Sequence, residues 1–276
     1  MQTQSRDRKS ASKGSSRSAL VLLFLRSGIR GVLLLVLIGG FSSRSFAYDE
    51  TFHHVYPLSA GGSFVLENVN GSVHVDGWDR DEVEVSAVKT STNEFRDVQQ
   101  VKIEVDNSKP GQIAVHTLYP KGEGAEVAVE YHVHVPYRVL LGSIGTVNGS
   151  VIVRGVEGGG ELRSVNGNVE VSNCSGRFSE KTTNGDIRLE LHQLLEGGPM
   201  NLETVNGSVL LGLPAGAKAD LKVLSMNGDV YSELPVPRIS GALAPHAFKA
   251  KLGNGGGEIS VRTVNGGIRL LQSPGV

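Results

Sequence analysis

Four groups of residues in this chain carry side chains that could do chemistry. His132 and His134 alternate along an extended stretch and so project from one face, a spacing that chelates a transition metal when a third ligand arrives from elsewhere. The adjacent pair His53-His54 is the available source, but no spacing ties it to the first pair, and two histidines on a wet strand face also serve as plain polar residues. Asp76, Asp79 and Asp81 surround Trp78; a tryptophan beside carboxylates makes a sugar platform, or it caps a core that has few other aromatics. Asp186 and Asp229 occupy the same position of a repeated phrase, and paired carboxylates about 5–9.5 Å apart hydrolyse glycosides. Their counterparts are Ser150, Asn168, Ser208 and Gly267, so the position reads as a solvated turn that takes any small polar residue. Cys174, the only cysteine, excludes an intramolecular disulfide; it lies in the connection Ser172–Gly176 with no His or Asp placed to activate it, and reads as structural. No Ser/His/Asp order, phosphate-cradling loop, dinucleotide fingerprint or calcium-binding nonapeptide is recognisable in the sequence.

The elements that would position these residues are repeats. The phrase Ser164-Val165-Asn166-Gly167-Asn168-Val169-Glu170-Val171 recurs around Asn148-Gly149, Asn184-Gly185, Asn206-Gly207, Asn227-Gly228 and Asn265-Gly266, with an outlying copy around Asn70. Counting the Asn as zero, position −2 of the six later copies is always Ser or Thr (Thr146, Ser164, Thr182, Thr204, Ser225, Thr263), and position +3 is always β-branched (Val151, Val169, Ile187, Val209, Val230, Ile268). Successive Asn-Gly pairs from Asn148 to Asn227 are 18, 18, 22 and 21 residues apart, a period of about twenty. The extra residues fall at one phase, His192–Pro199 in one unit and Pro214–Lys218 in another, as expected when loops emerge on one side of a stack. A Pro-rich insert, 235–245, then interrupts the array before Gly257–Leu271 completes it.

Upstream, from Thr51 to about Arg138, strand follows strand. Ser63–Leu66, Glu82–Val88, Val101–Val105 and Glu126–Val135 alternate apolar with polar residues, the mark of sheets with one wet face. Thr92–Gln100, with Phe95 and Val98 three apart, is the exception and is expected to form a short helix. The first 47 residues read as an export signal: Arg6, Arg8, Lys9, Lys13, Arg17, Arg26 and Arg30, then an apolar run Gly31–Phe41, then Ser45-Phe46-Ala47 suited to cleavage after Ala47. An uncleaved anchor over 19–41 is the rival reading, against which Arg26 and Arg30 each cost roughly 2.5–3.5 kcal/mol near a helix centre. The expected organisation is thus 1–47 signal or anchor, 48–140 strand-rich part, and 141–276 repeat array. With 27 basic residues against 28 acidic, and seven of the basic ones within the first thirty positions, nothing favours a nucleic-acid partner.

Two architectures fit the unit. In a β-solenoid of the parallel β-helix kind, identical positions stack about 4.7–4.9 Å apart, positions −4, +3 and +5 form internal apolar ladders, and the Asn amides hydrogen-bond along the axis. In the alternative, a meander of stacked β-hairpins, each Asn-Gly is a type I′ turn with positive φ at both residues. The hairpin register sets Lys181 against Arg188 and Arg262 against Arg269, and it leaves position −1 (Val147, Val165, Val205, Met226, Val264) on the wet face without a reason. The solenoid is therefore the preferred reading.

Phe64–Asp79 followed by Glu82-Val83-Glu84-Val85 and then by serial Val-Asn-Gly-Ser/Asp-Val units resembles the bacterial putative-adhesin family over nearly all of the chain beyond the leader. The resemblance implies a β-solenoid-like fold, a periplasmic, cell-surface or extracellular location and no catalytic or cofactor residues. The expected function is non-enzymatic: an adhesin-like envelope protein that presents a repetitive face to a surface glycan or protein, with self-association as a second partner and contact with a membrane only through an uncleaved leader. A polysaccharide-active β-helix enzyme and an envelope-stress accessory or sensor protein are the alternatives. The residues that define the unit, Asn70, Asn148, Asn166, Asn184, Asn206, Asn227 and Asn265 with Gly149, Gly167, Gly185, Gly207, Gly228 and Gly266, are expected to be structural.

Overall fold

In the computed structural model, residues 48–92, 95–120, 126–236 and 246–273 are described. The leader, and most of the Pro-rich insert, lie outside them. The first part contains β1 (Tyr48–Pro57), β2 (Ser63–Glu67), β3 (Val73–Trp78), β4 (Glu82–Ser91), the expected helix α1 (Phe95–Gln100), β5 (Lys102–Asp106), β6 (Gln112–Leu118), β7 (Val127–Pro136) and β8 (Arg138–Gly145). The repeats contribute β9 (Val151–Arg154), β10 (Glu157–Arg163), β11 (Val169–Lys181), β12 (Ile187–Leu194), β13 (Met200–Asn206), β14 (Val209–Pro214), β15 (Ala219–Asn227), β16 (Val230–Ser232), β17 (Ala247–Leu252), β18 (Glu258–Asn265) and β19 (Ile268–Ser273). All of these strands join one mixed sheet, so the described residues are all-β with about a turn and a half of helix. Among the described residues no helix is long and apolar enough to cross a membrane.

Each repeat unit lies beside the next with the same positions opposite one another and the chains parallel. Val169 faces Val151 on one side and Ile187 on the other, Ile187 faces Val209, and Val209 faces Ile268. The strands before each Asn do likewise, through β8, β10, β11, β13, β18 and β15. The outlying copy joins the same stack, β2 pairing with β8 and β3 with β9, while β6 and β7 lie parallel on its other side. The hairpin alternative fails on two observations. No strand pairs antiparallel across an Asn-Gly of the repeat, and the only described non-glycine residue with positive φ is Asn173, so none of the repeat asparagines has the conformation a type I′ turn needs.

The alternation of side chains follows from this stacking. Positions +3 and +5 (Val169, Val171 and their counterparts) are buried in most units, and so is position −4 (Leu66, Ile144, Leu162, Leu202, Val223, Val261), and all belong to one core. Position −1 is on the wet face here too, with Val147, Val165, Val205 and Met226 between 36% and 54% exposed. Its exposure therefore does not separate the two architectures; register and φ do.

The array does not run in chain order. The unit of β18–β19 lies between that of β13–β14 and that of β15–β16, and β17 pairs antiparallel on the outer side of β15. The final unit thus completes the array from within, and the antiparallel β17 occupies the outer edge of β15. Among the described strands, β1, β5, β16 and β17 pair on one side only and form the sheet edges.

Candidate functional site

The corner that carries each Asn is held by three sets of hydrogen bonds between neighbouring units. Along the Asn ladder, Asn148 Nδ2 donates to Asn70 Oδ1 at 2.7 Å, and the same bond repeats at 2.8–2.9 Å through Asn166, Asn184, Asn206, Asn265 and finally Asn227. At position −2 the hydroxyl does not join a hydroxyl chain. Ser164 Oγ donates to the Gly149 carbonyl at 2.8 Å and Thr182 Oγ1 to that of Gly167 at 2.8 Å; Thr146, Thr204, Ser225 and Thr263 do the same, each to the glycine at +1 of the adjoining unit. These hydroxyls are 5% exposed or less, so the Ser/Thr set is interior and presents nothing to a partner. In the first unit Asn68 replaces the hydroxyl, and its amide donates to the carbonyls of Gly71 and Val129.

The glycine at +1 is there for closeness. A Cβ on Gly167 would stand 2.0 Å from the Gly149 carbonyl oxygen, on Gly185 2.1 Å from that of Gly167, and on Gly207 1.9 Å from that of Gly185; Gly149, Gly228 and Gly266 meet the same obstacle at 2.0–2.3 Å. None of these distances is tolerable for a real Cβ. Position +2 completes the corner, since Asn168 Oδ1 accepts from the Asp186 N–H at 2.9 Å and Asp186 Oδ1 accepts from the Ser208 N–H at 2.7 Å. The carboxylate of Asp186 is thus used in the frame. Asp229 lies three rungs away, because the units of Asn206 and Asn265 intervene, which at about 4.8 Å per rung is roughly 14 Å and too far for a glycosidase pair.

The histidine and tryptophan candidates meet on the outer face of β1, β4, β7 and β3. His132 stacks on His74 with ring centroids 4.7 Å apart, and His134 stacks on Trp78 at 5.0 Å. Burial and the neighbouring His132 lower the pKa of His74. Glu84 reaches His53 Nδ1 at 3.5 Å with one oxygen and His134 Nδ1 at 3.6 Å with the other. Ser86 Oγ also lies 3.0 Å from His53 Nδ1, so serine and carboxylate share one ring nitrogen, which rules out a relay that needs them on opposite nitrogens. Among the described residues no group of three or more His, Cys, Asp or Glu side chains is arranged to hold a metal ion. His54 is exposed beside Phe52 and Tyr56, away from His132. The indole of Trp78 donates to the Glu82 carbonyl at 2.8 Å, and the Arg80 guanidinium lies over its ring at 4.7 Å. With His134 stacked on it as well, the ring is engaged by the protein. Asp79 is exposed, while Asp81 accepts from the Ala60 N–H at 3.2 Å.

Cys174 is buried, its Sγ accepting from the Val156 N–H at 3.3 Å, and burial pushes its thiol up to about 11, the profile of an inert structural thiol. Sequence reasoning overlooked Glu180. It is 1% exposed, neither carboxylate oxygen has a hydrogen-bond partner, and burial, followed by the charge of Glu170, pushes its pKa well above the usual carboxylate range. The signal was legible: Glu180 is the one ionisable residue at position −4, which is Leu, Ile or Val in the other six units.

Residues 142–271 match the family model Toastrack DUF4097, in keeping with the resemblance carried by the Val-Asn-Gly units. Similar solved structures include a putative cell adhesion protein from Clostridium sporogenes, with TM-score 0.44 and 12% identity over 81% of this chain and 100% of that one. A putative adhesin from Bacteroides fragilis has TM-score 0.37 and 10% identity over 80% of this chain and 97% of that one. A putative lipid binding protein from Parabacteroides distasonis has TM-score 0.30 and 11% identity over 80% and 97%. No curated protein matches the chain in sequence.

Proposed function

We propose, for a chain whose residues 142–271 belong to the Toastrack DUF4097 family, the role of an exported, non-enzymatic, adhesin-like envelope module, a β-solenoid that binds its partner along the ridge of positions −1 and 0. One observation carries this reading. Val147, Val165, Val205 and Met226 are exposed in a row beside the solvent-facing Asn ladder, with Val69, Thr183 and Val264 half-buried in the same row. An apolar stripe kept on the surface of a monomer marks an interaction site. Each rung repeats the same pair of groups after about 4.8 Å, so contacts that are weak singly add along a partner that itself repeats, such as a surface glycan. Export with cleavage after Ala47 places the ridge outside the cytoplasm, and the edge strands β1 and β16 offer a second copy of the chain a place to pair.

The reading is tested with the triple variant Val147→Lys/Val165→Lys/Val205→Lys, whose side chains point to water and whose fold circular dichroism can verify. Retention on whole bacterial cells and on an envelope-glycan array should fall about tenfold or more relative to the parent chain. Equal retention of the two proteins would discard the ridge as the binding face.

A further inference from the structure

The insertions that share one phase of the repeat also share one place. Residues 192–196, 214–218 and 255–257, far apart in the chain, line a cavity of about 670 Å³ at the corner of the array opposite in phase to the Asn ladder. Its lining carries the cations Arg177 and Lys218 and the imidazole of His192 against a single carboxylate, Glu196. Arg177 is half-buried; its Nη1 donates to the Leu195 carbonyl at 3.2 Å and its Nη2 to that of Glu258 at 3.1 Å, and among the described residues no carboxylate lies within salt-bridge distance. A cation withdrawn from water and left without a counter-charge is costly unless an anion compensates it.

Gly257 makes the position of Arg177 possible. A Cβ on Gly257 would stand 2.9 Å from Arg177 Nη2 and 2.5 Å from the Gly197 carbonyl oxygen. The N–H groups of Gly256 and Gly257 donate to no acceptor among the described residues. An arginine held by two carbonyls, an exposed lysine beside it in the lining, bare loop N–H groups and a partly apolar wall that includes Leu194, Leu195 and Pro214 together describe a pocket for a compact oxyanion on a small carbon body.

We propose that this corner cavity binds a phosphate group carried by a small organic molecule or by a lipid headgroup, with Arg177 and Lys218 as the charge partners. The site is independent of the ridge, so either can fail without the other. Isothermal titration of the whole chain with glycerol 3-phosphate, and sedimentation with vesicles of phosphatidylglycerol or phosphatidylcholine, test it. Saturable binding of glycerol 3-phosphate at millimolar concentration identifies a soluble phosphate ester as the source, and retention on phosphatidylglycerol but not phosphatidylcholine identifies a headgroup. In either case Lys218→Glu, at an exposed position where folding is unaffected, weakens binding about tenfold or more, and Arg177→Gln does the same. Absence of binding to both probes, or binding that Lys218→Glu leaves unchanged, overturns the proposal.

Discussion

Glu180 stands between Leu162 and Leu202, its partners on the neighbouring strands, where the other units put an aliphatic side chain. Such a carboxyl stays in the core by keeping its proton. The folded state holds that proton at pH values where the unfolded chain has released it, so stability is full below the ordinary carboxylate pKa and is lost as pH rises toward the raised folded value. Glu180→Leu removes the orphaned carboxyl at similar volume and should stabilise the protein by about 1–3 kcal/mol above neutral pH. Urea melts of both proteins across the range from mild acid to mild alkali check this: the parent should weaken toward alkali relative to Glu180→Leu. Parallel curves would mean that Glu180 ionises without cost. The same residue shows how far a sequence reading reaches. Its departure from the pattern at −4 is plain in the alignment of units, but its burial without a partner depends on what the neighbouring strands supply.

At the scale of elements, the first part of the chain is joined by a buried lysine. Lys89 on β4 is 6% exposed; its Nζ donates to Glu50 on β1 at 2.9 Å and to the carbonyls of Val98 and Val101 at the end of α1, at 3.4 and 2.9 Å. A cation at the carbonyl end of a helix is favourable, and here it also fastens the edge strand β1. Lys89→Met keeps the stem and removes the charge, and should cost about 2–3 kcal/mol. Hydrogen exchange should show the loss first in residues 48–57 and 97–101. An unchanged urea midpoint would refute the role. Existence of these elements was readable from alternation and from Phe95 and Val98, but this tie was not: alternation puts Lys89 in the inward phase of Val83, Val85 and Ala87, yet no spacing names Glu50 or the carbonyls of Val98 and Val101 as its partners.

At the largest scale, the described repeats form an array whose rungs follow the order Asn70, Asn148, Asn166, Asn184, Asn206, Asn265, Asn227. Adjacent rungs place Cα atoms about 4.8 Å apart, within reach of a disulfide, whereas rungs two apart are near 9.6 Å and out of reach. The double variant Asn206→Cys/Asn265→Cys should therefore cross-link on oxidation, and Asn206→Cys/Asn227→Cys should not. The reverse result would restore the chain order to the array. Buried Cys174 is too inert to interfere.

By itself the sequence determined the unit, its period, the inward positions −4, +3 and +5, and the single phase of the insertions, because each of these is written in residue types that recur. It left the choice between hairpin and parallel stack to a preference, since one of the objections to the hairpin, the wet position −1, holds for the stack as well. Tertiary structure decided the parallel register, the burial of the Ser/Thr set against neighbouring glycine carbonyls, and the place of the last unit inside the array. The physical reason is common to all three. Units with the same pattern offer nearly the same hydrogen bonds and apolar face to any neighbour, so local composition cannot rank the neighbours; contacts between residues far apart in the chain, such as β17 on the edge of β15, do.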